Sequence, residues 1–273
     1  MAPYLWFIPM GFAVGVGGTL VGAGGGFILV PVLLLLYPRE SPELITSVSL
    51  AVVFFNALSG SVAYGRMRRI DYKSGLFFSA ATIPGAILGA FSTSFIPRRA
   101  FNLIFGLLLI AASTYLIARP QRTQRAAKPT RGQNMSRTLV EANGMAHSFS
   151  YHLPTGVGVS LLVGYFSSLL GIGGGIIHVP VLVQVLNFPV HIATATSHFI
   201  LAIMAFTGTL VHVATGTFHH GVYLTLALAT GVLAGAPLGA RLSNRLSGSW
   251  IIRALAVALA FVALRILLAS LWK

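Results

Sequence analysis

Two runs of glycine offer the clearest chemistry in this sequence. Gly22, Gly24, Gly25 and Gly26, with Ala23 among them, are followed by Pro31; Gly171, Gly173, Gly174 and Gly175 are followed in the same way by Pro180. Glycine costs about 1 kcal/mol in a helix interior relative to alanine, so each run favours an unwound segment and a fresh helix start. Free backbone N–H groups and the positive end of the helix dipole face such a break. A terminus of this kind holds an oxyanion without a charged side chain. Close helix packing is the competing use of these glycines, but three adjacent glycines followed by a proline exceed what packing requires.

Polar side chains form a second group. Thr46, Ser47, Ser49 and Asn56 lie on one apolar stretch, and Thr194, Thr196, Ser197 and His198 occupy the matching place later in the chain. Hydroxyl, amide and imidazole groups can all donate to an anion, although Ser and Thr also bond back to helix carbonyls. His178, His198 and His212 fall within apolar segments and are the candidates for proton coupling, because imidazole titrates near neutral pH. His219 and His220 fall at a loop. No metal site is expected from these spacings. The four acids, Glu40, Glu43, Asp71 and Glu141, all lie in or beside predicted loops. Without a mid-membrane carboxylate, a cation transporter and a carboxylate-driven antiporter are disfavoured. The acid–base pair of a hydrolase is missing too, so neither enzyme activity nor a cofactor is expected.

These groups must be positioned by membrane-spanning helices. Hydrophobic residues make up 56% of the 273 and charged residues only 8%, against about a quarter charged in soluble domains. Apolar stretches at about 3–37, 44–64, 74–95, 100–118, 154–187, 191–215, 218–240 and 250–272 approach or exceed the ~20 residues that cross hydrocarbon. The formal charge of +14 sits mostly between these stretches, where it orients helices and meets anionic lipid rather than nucleic acid. Cysteine is absent, which excludes disulfides and thiolate sites. Met1–Met10 holds no Lys or Arg, so the first stretch is expected to remain in the mature protein.

The chain also repeats itself. Residues 21–33 align without gaps on residues 170–182, keeping the glycines and the proline in register. Thr46 to Ser49 then matches Thr194 to Ser197, and Gly85 with Gly89 matches Gly235 with Gly239. The fold class predicted is an all-α, polytopic transmembrane bundle of two pseudo-symmetric repeats, residues 1–118 and 153–273. Each has a glycine-broken first helix, either long or re-entrant, and three spanning helices. Residues 119–152, rich in Arg, are predicted to form a solvated basic loop on the cytoplasmic side, disordered or weakly helical. If both broken stretches are re-entrant, Lys and Arg divide 13 to 5 between the two faces, which favours inverted repeats under the positive-inside rule.

The doubled motif, Gly22-Ala23-Gly24-Gly25-Gly26 with Pro31 and Gly171-Ile172-Gly173-Gly174-Gly175 with Pro180, together with Ala195-Thr196-Ser197-His198-Phe199, resembles the TauE/SafE family of membrane permeases. The resemblance spans nearly the whole chain apart from 119–152. It implies a multi-pass protein of a bacterial or archaeal inner membrane that exports a small sulfur oxyanion, such as sulfite or thiosulfate, or an organosulfonate. The expected function is therefore secondary transport by alternating access, with the two breaks meeting around the anion. An anion channel and a non-transporting scaffold are the rival expectations. The partners expected are the anion, the lipid bilayer and a second copy of the chain in a homodimer.

Overall fold

The computed structural model describes residues 4–118, 134–246 and 248–271. The helices are α1 (Phe7–Val21), α2 (Gly26–Leu36), α3 (Pro42–Arg66), α4 (Tyr72–Thr93), α5 (Arg98–Ala118), α6 (Leu153–Leu170), α7 (Gly175–Gln184), α8 (Val190–Ala214), α9 (Val222–Ser243) and α10 (Gly248–Leu271). Their ends follow local chemistry. Ser41 caps α3 by accepting from the Leu44 N–H at 3.2 Å, with Pro42 in the first turn, and Asp71 caps α4 by accepting from the Ser74 N–H. Such caps satisfy N–H groups that the helix itself leaves free. Among the described residues, α3, α4, α6, α8 and α9 are long and apolar enough to cross a membrane.

The two glycine runs separate α1 from α2 and α6 from α7. At about 1.5 Å per residue, a chain continuing straight through α1 and α2 would carry Tyr37 roughly 40 Å from Phe7. Instead the rings of Phe7 and Tyr37 lie 6.4 Å apart, so α2 returns along α1. The second pair also folds back: Ser160 Oγ, midway along α6, lies 3.0 Å from His178 Nε2 on α7. The α1–α2 hairpin has its open end with the start of α3 and α5, where Arg98 donates to the Leu34 carbonyl at 2.7 Å. The α6–α7 hairpin has its open end with the start of α8 and with the strands below.

A correction applies to the segment read as a solvated loop, and with it to the all-α class. Met135–Val140 (β1) and Ala146–Tyr151 (β2) form an antiparallel hairpin, with Met135 opposite Tyr151 and Val140 opposite Ala146. Tertiary contacts explain it. Phe149 and Tyr151 are buried against Phe78, Leu186 and Phe188. Arg137 Nη2 reaches Asp71 Oδ1 at 2.8 Å, Arg69 Nε reaches Glu141 Oε2 at 2.8 Å, and the Ala142 N–H donates to the Met67 carbonyl at 3.0 Å. The hydrogen bonds that Arg137 donates to Asp71 raise the pKa of Arg137, and burial raises that of the Tyr151 hydroxyl. The rest of that predicted loop, 119–133, lies outside the described residues.

Helices α1 and α9 pack so closely that a Cβ on Gly235 would overlap the Phe12 carbonyl oxygen. A Cβ on Gly89 of α4 would likewise overlap that of Tyr165 on α6. Small residues at such crossings permit the backbone approach on which association of apolar helices depends. Gly235→Val and Gly89→Val are therefore expected each to destabilise the fold by about 1–3 kcal/mol through overpacking, read as a lowered unfolding temperature in detergent. Gly158→Ala, at an exposed position inside α6 with nothing within 4 Å of the added carbon, should instead leave that temperature unchanged or raise it slightly, because alanine is the better helix residue.

Candidate functional site

Each glycine run is a turn that L side chains rarely adopt. Gly22, Gly24 and Gly25 have φ of 80°, 73° and 82°, and Gly171, Gly173 and Gly174 have 67°, 78° and 59°. Two of these values end a helix in the left-handed conformation that glycine tolerates best. Among the described residues, no acceptor takes the N–H groups of Gly25, Gly26 and Phe27, nor those of Gly173, Gly174 and Ile176. Both helix starts therefore keep free donors.

The two breaks touch. A Cβ on Gly26 would sit 2.6 Å from the Gly171 carbonyl oxygen, and one on Gly175 would overlap the Gly22 carbonyl oxygen. The start of α2 thus lies against the end of α6, and the start of α7 against the end of α1, which opposes positive and negative dipole ends. Val53, at the middle of α3, abuts both Gly24 and Gly173. The hydroxyls predicted as anion donors meet these same turns. Ser49 donates to the Gly171 carbonyl at 2.6 Å, and Ser197 to the Gly22 carbonyl at 3.2 Å. Thr194 lies beside Gly22 but donates to Val190 at 2.8 Å. In this arrangement the protons of Ser49, Ser197 and Thr194 are committed to backbone oxygens. Thr46, beside Gly171, keeps an unpartnered, buried Oγ1.

A short distance along α3 and α8 from Val53 lies a buried polar cluster. Thr19 Oγ1 donates to Asn56 Oδ1 at 3.1 Å and lies 3.2 Å from His198 Nε2. Thr19 Oγ1 and His198 Nε2 share one hydrogen bond, whose direction depends on the imidazole tautomer. Tyr64 closes the cluster by donating to the Thr19 carbonyl at 2.8 Å, its ring edge-on to His198. All four side chains are buried, and both Asn56 Nδ2 and His198 Nδ1 lack a partner. Buried amide N–H groups without acceptors are uncommon and mark a place where a ligand could satisfy them.

The three histidines are not brought together. His198 and His212 are separated by about four turns of α8, and His178 pairs with Ser160 on the other hairpin. His212 is buried with both ring nitrogens unpartnered. Thr196 faces away from the breaks, where its Oγ1 accepts the Asp71 N–H at 3.1 Å. Thr19 and Tyr64, central to the cluster, were absent from the predicted site. Thr19 sits one turn before the first glycine and Tyr64 matches His212 across the repeat alignment, but neither carries a spacing signal of its own. Asp71 and Glu141 are buried, yet each is paired with an arginine at the β-hairpin end, and no described carboxylate adjoins the cluster.

Comparison with known proteins gives a consistent picture. Residues 7–266 match the family model described as sulfite exporter TauE/SafE. The chain is 30% identical over 267 residues to the probable membrane transporter protein YunE of Bacillus subtilis, covering 95% of each chain. It is 23% identical over 252 residues to a probable membrane transporter protein of Methanocaldococcus jannaschii, covering 88% of this chain and 86% of that one. No solved structure matches the chain.

The cluster makes a direct prediction. Thr19→Val deletes the hydroxyl that both Asn56 and His198 use, at nearly constant volume, and should cost about 1–3 kcal/mol because two buried polar groups lose their partner. Thr19→Ser should recover most of that loss. Thermal unfolding of the three proteins side by side is the measurement; equal stability of Thr19→Val and wild type would remove the hydroxyl from this role.

Proposed function

This chain belongs to the TauE/SafE sulfite exporter family and is a membrane transporter, and we propose that it is a secondary transporter exporting a small sulfur-containing anion by alternating access. The observation that carries this reading is the meeting of two glycine breaks, each with free N–H groups, beside an unpartnered Asn56 amide and with no carboxylate near. Such a site rejects cations and stabilises an anion by donors alone. Sulfite, thiosulfate and organosulfonates are the cargo class implied by the family.

In this reading the α1–α2 and α6–α7 hairpins are re-entrant arms entering from opposite faces, one in each of two inverted repeats. Arg66, Arg68, Arg69, Lys73, Arg137, Arg241 and Arg245 gather at the β-hairpin end, which the positive-inside rule assigns to the cytoplasm of an inner-membrane protein. At that end Tyr64, Ile70, Ala195 and Ala240 pack as one buried apolar layer, and Tyr64 also touches the Thr19–Asn56–His198 cluster. Release of the Tyr64 hydroxyl from the Thr19 carbonyl would open the way inward. A closed layer of this kind fits a carrier better than an open channel.

His198 supplies the coupling. Neutral, its imidazole has one N–H; protonated, it offers two N–H donors and a positive charge. Proton and anion would therefore bind together. His178 and His212, buried on other parts of the bundle, are the lesser candidates.

The test is flux of radiolabelled sulfite, thiosulfate and sulfoacetate in proteoliposomes. Wild type should show saturable uptake of at least one of them. Gly25→Val, which forces a branched side chain onto a φ of +82° against Val14, should abolish it. Asn56→Leu should lower it by about tenfold or more, the loss of one charge-assisted hydrogen bond. His198→Gln should flatten its dependence on a pH gradient. Flux that fails to saturate would favour a channel, and wild-type flux in Gly25→Val would sink the role given to the breaks.

A further inference from the structure

A cavity of about 480 Å³ opens at the β-hairpin end, bounded by the ends of α3 and α9, the start of α8 and the β1–β2 turn. Arg66, Arg69, Arg241, His191, Asn143 and Asn244 all line it. One carboxylate shares the wall. Glu141 is engaged by Arg69 Nε at 2.8 Å and lies 3.0 Å from His147 Nε2. Three guanidinium groups against one carboxylate leave an excess of two positive charges. Arg69 is only 6% exposed, and its Nη1 has no hydrogen-bond partner; His191 Nδ1 is likewise unpartnered. A buried guanidinium N–H without an acceptor bears its full desolvation cost. The groove walls of low dielectric concentrate the field of the remaining charges into the cavity.

We propose that this cavity is a binding site for a small, doubly charged oxyanion, held by Arg66 and Arg241 at its rim, with the buried guanidinium of Arg69 adding positive charge behind the wall. The planar guanidinium forks suit paired oxygens of a tetrahedral or pyramidal ion. The charge excess selects the class: a dianion such as sulfate or thiosulfate neutralises the wall, whereas chloride leaves it half uncompensated. The phosphate of an anionic lipid headgroup shares this chemistry. Glu141 keeps Arg69 oriented, and the β-hairpin turn, anchored through Ala142 to Met67, supplies the outer wall. The site stands on its own geometry. Its use as the place where cargo waits behind the Tyr64 layer rests on the transport reading.

Sulfate is the soluble probe, titrated against chloride at constant ionic strength while the unfolding temperature of the detergent-purified chain is followed, since a ligand of the folded state raises it. A saturating, sulfate-specific rise is expected. Arg66→Gln and Arg241→Gln, both exposed at the rim and outside the packed core, should each weaken apparent affinity by about tenfold, or ~1.4 kcal/mol. Asn56→Leu should leave that affinity unchanged. A second arm measures, by native mass spectrometry, retention of phosphatidylglycerol over phosphatidylcholine; selectivity abolished by the two arginine variants would identify lipid phosphate as the occupant of the same site. Two results would overturn the proposal: neither sulfate shift nor lipid selectivity in wild type, or both persisting in the arginine variants. Sulfate binding lost in Asn56→Leu but kept in the arginine variants would also overturn it, while supporting the midplane site. Arginine-dependent binding in a protein that transports nothing would keep the cavity site and sink the transport reading.

Discussion

A helix that stops inside an apolar bundle leaves backbone carbonyls and N–H groups with no water to receive them. Everything at the centre of this protein follows from how that debt is met. The end of α1 is satisfied from two directions, by Tyr64 on the Thr19 carbonyl and by Ser197 on the Gly22 carbonyl. The end of α6 is satisfied by Thr93 on the Leu169 carbonyl and by Ser49 on the Gly171 carbonyl. All four donors come from α3, α4 and α8, and three of them, Ser49, Thr93 and Ser197, draw their helices against a hairpin that those helices neither immediately follow nor precede. The glycine-lined crossings of α1 with α9 and of α4 with α6 hold that arrangement. The carbonyl ends are thus closed, whereas the N–H ends of α2 and α7 are not. That imbalance leaves the centre of the bundle with donors in excess of acceptors.

The two sets of contacts correspond, but their chemistry differs. Gly60 abuts His198 and Thr19, and Gly208 abuts Leu50 and Ser168. In the sequence alignment His198 answers Leu50, Asn56 answers Met204 and Tyr64 answers His212. The first set is polar and hydrogen-bonded; the second substitutes apolar side chains and leaves the Ser168 hydroxyl and both His212 nitrogens unpartnered. Divergence at these few positions leaves undisturbed the glycines that set the backbone.

The helices, the breaks and their glycines were legible in the sequence because each depends on local properties: apolar run length, helix propensity and the positive φ that glycine permits. The partners of Ser49 and Ser197 were not, since their acceptors lie 122 and 175 residues away in the chain, and hydroxyl pattern alone does not say whether a proton goes to a ligand or to a carbonyl. Thr19 was hidden for the same reason. The β-hairpin was obscured by composition: Arg137 and the polar residues around it read as solvated, and its partner Asp71 lies 66 residues away at the start of α4. His178, His198 and His212 share a residue type and an apolar setting, yet only His198 meets Thr19 and Asn56.

The acids gain a different meaning once their partners are known. Two of the four, Asp71 and Glu141, are almost fully buried, which is costly unless each charge is paired. Their partners, Arg137 and Arg69, both bear on the hairpin, so the acids fasten a cover over the basic end of the bundle rather than bind cargo. Glu141 answers only one N–H of Arg69. Were Asp71 and Glu141 placed near the breaks instead, they would offer acceptors to the free N–H groups of α2 and α7. Placed where they are, they hold arginine at the β-hairpin end and leave its charge partly unanswered. One electrostatic scheme, with carboxylates spent on structure and donors left for a ligand, therefore runs from the cavity at the surface to the turns at the centre.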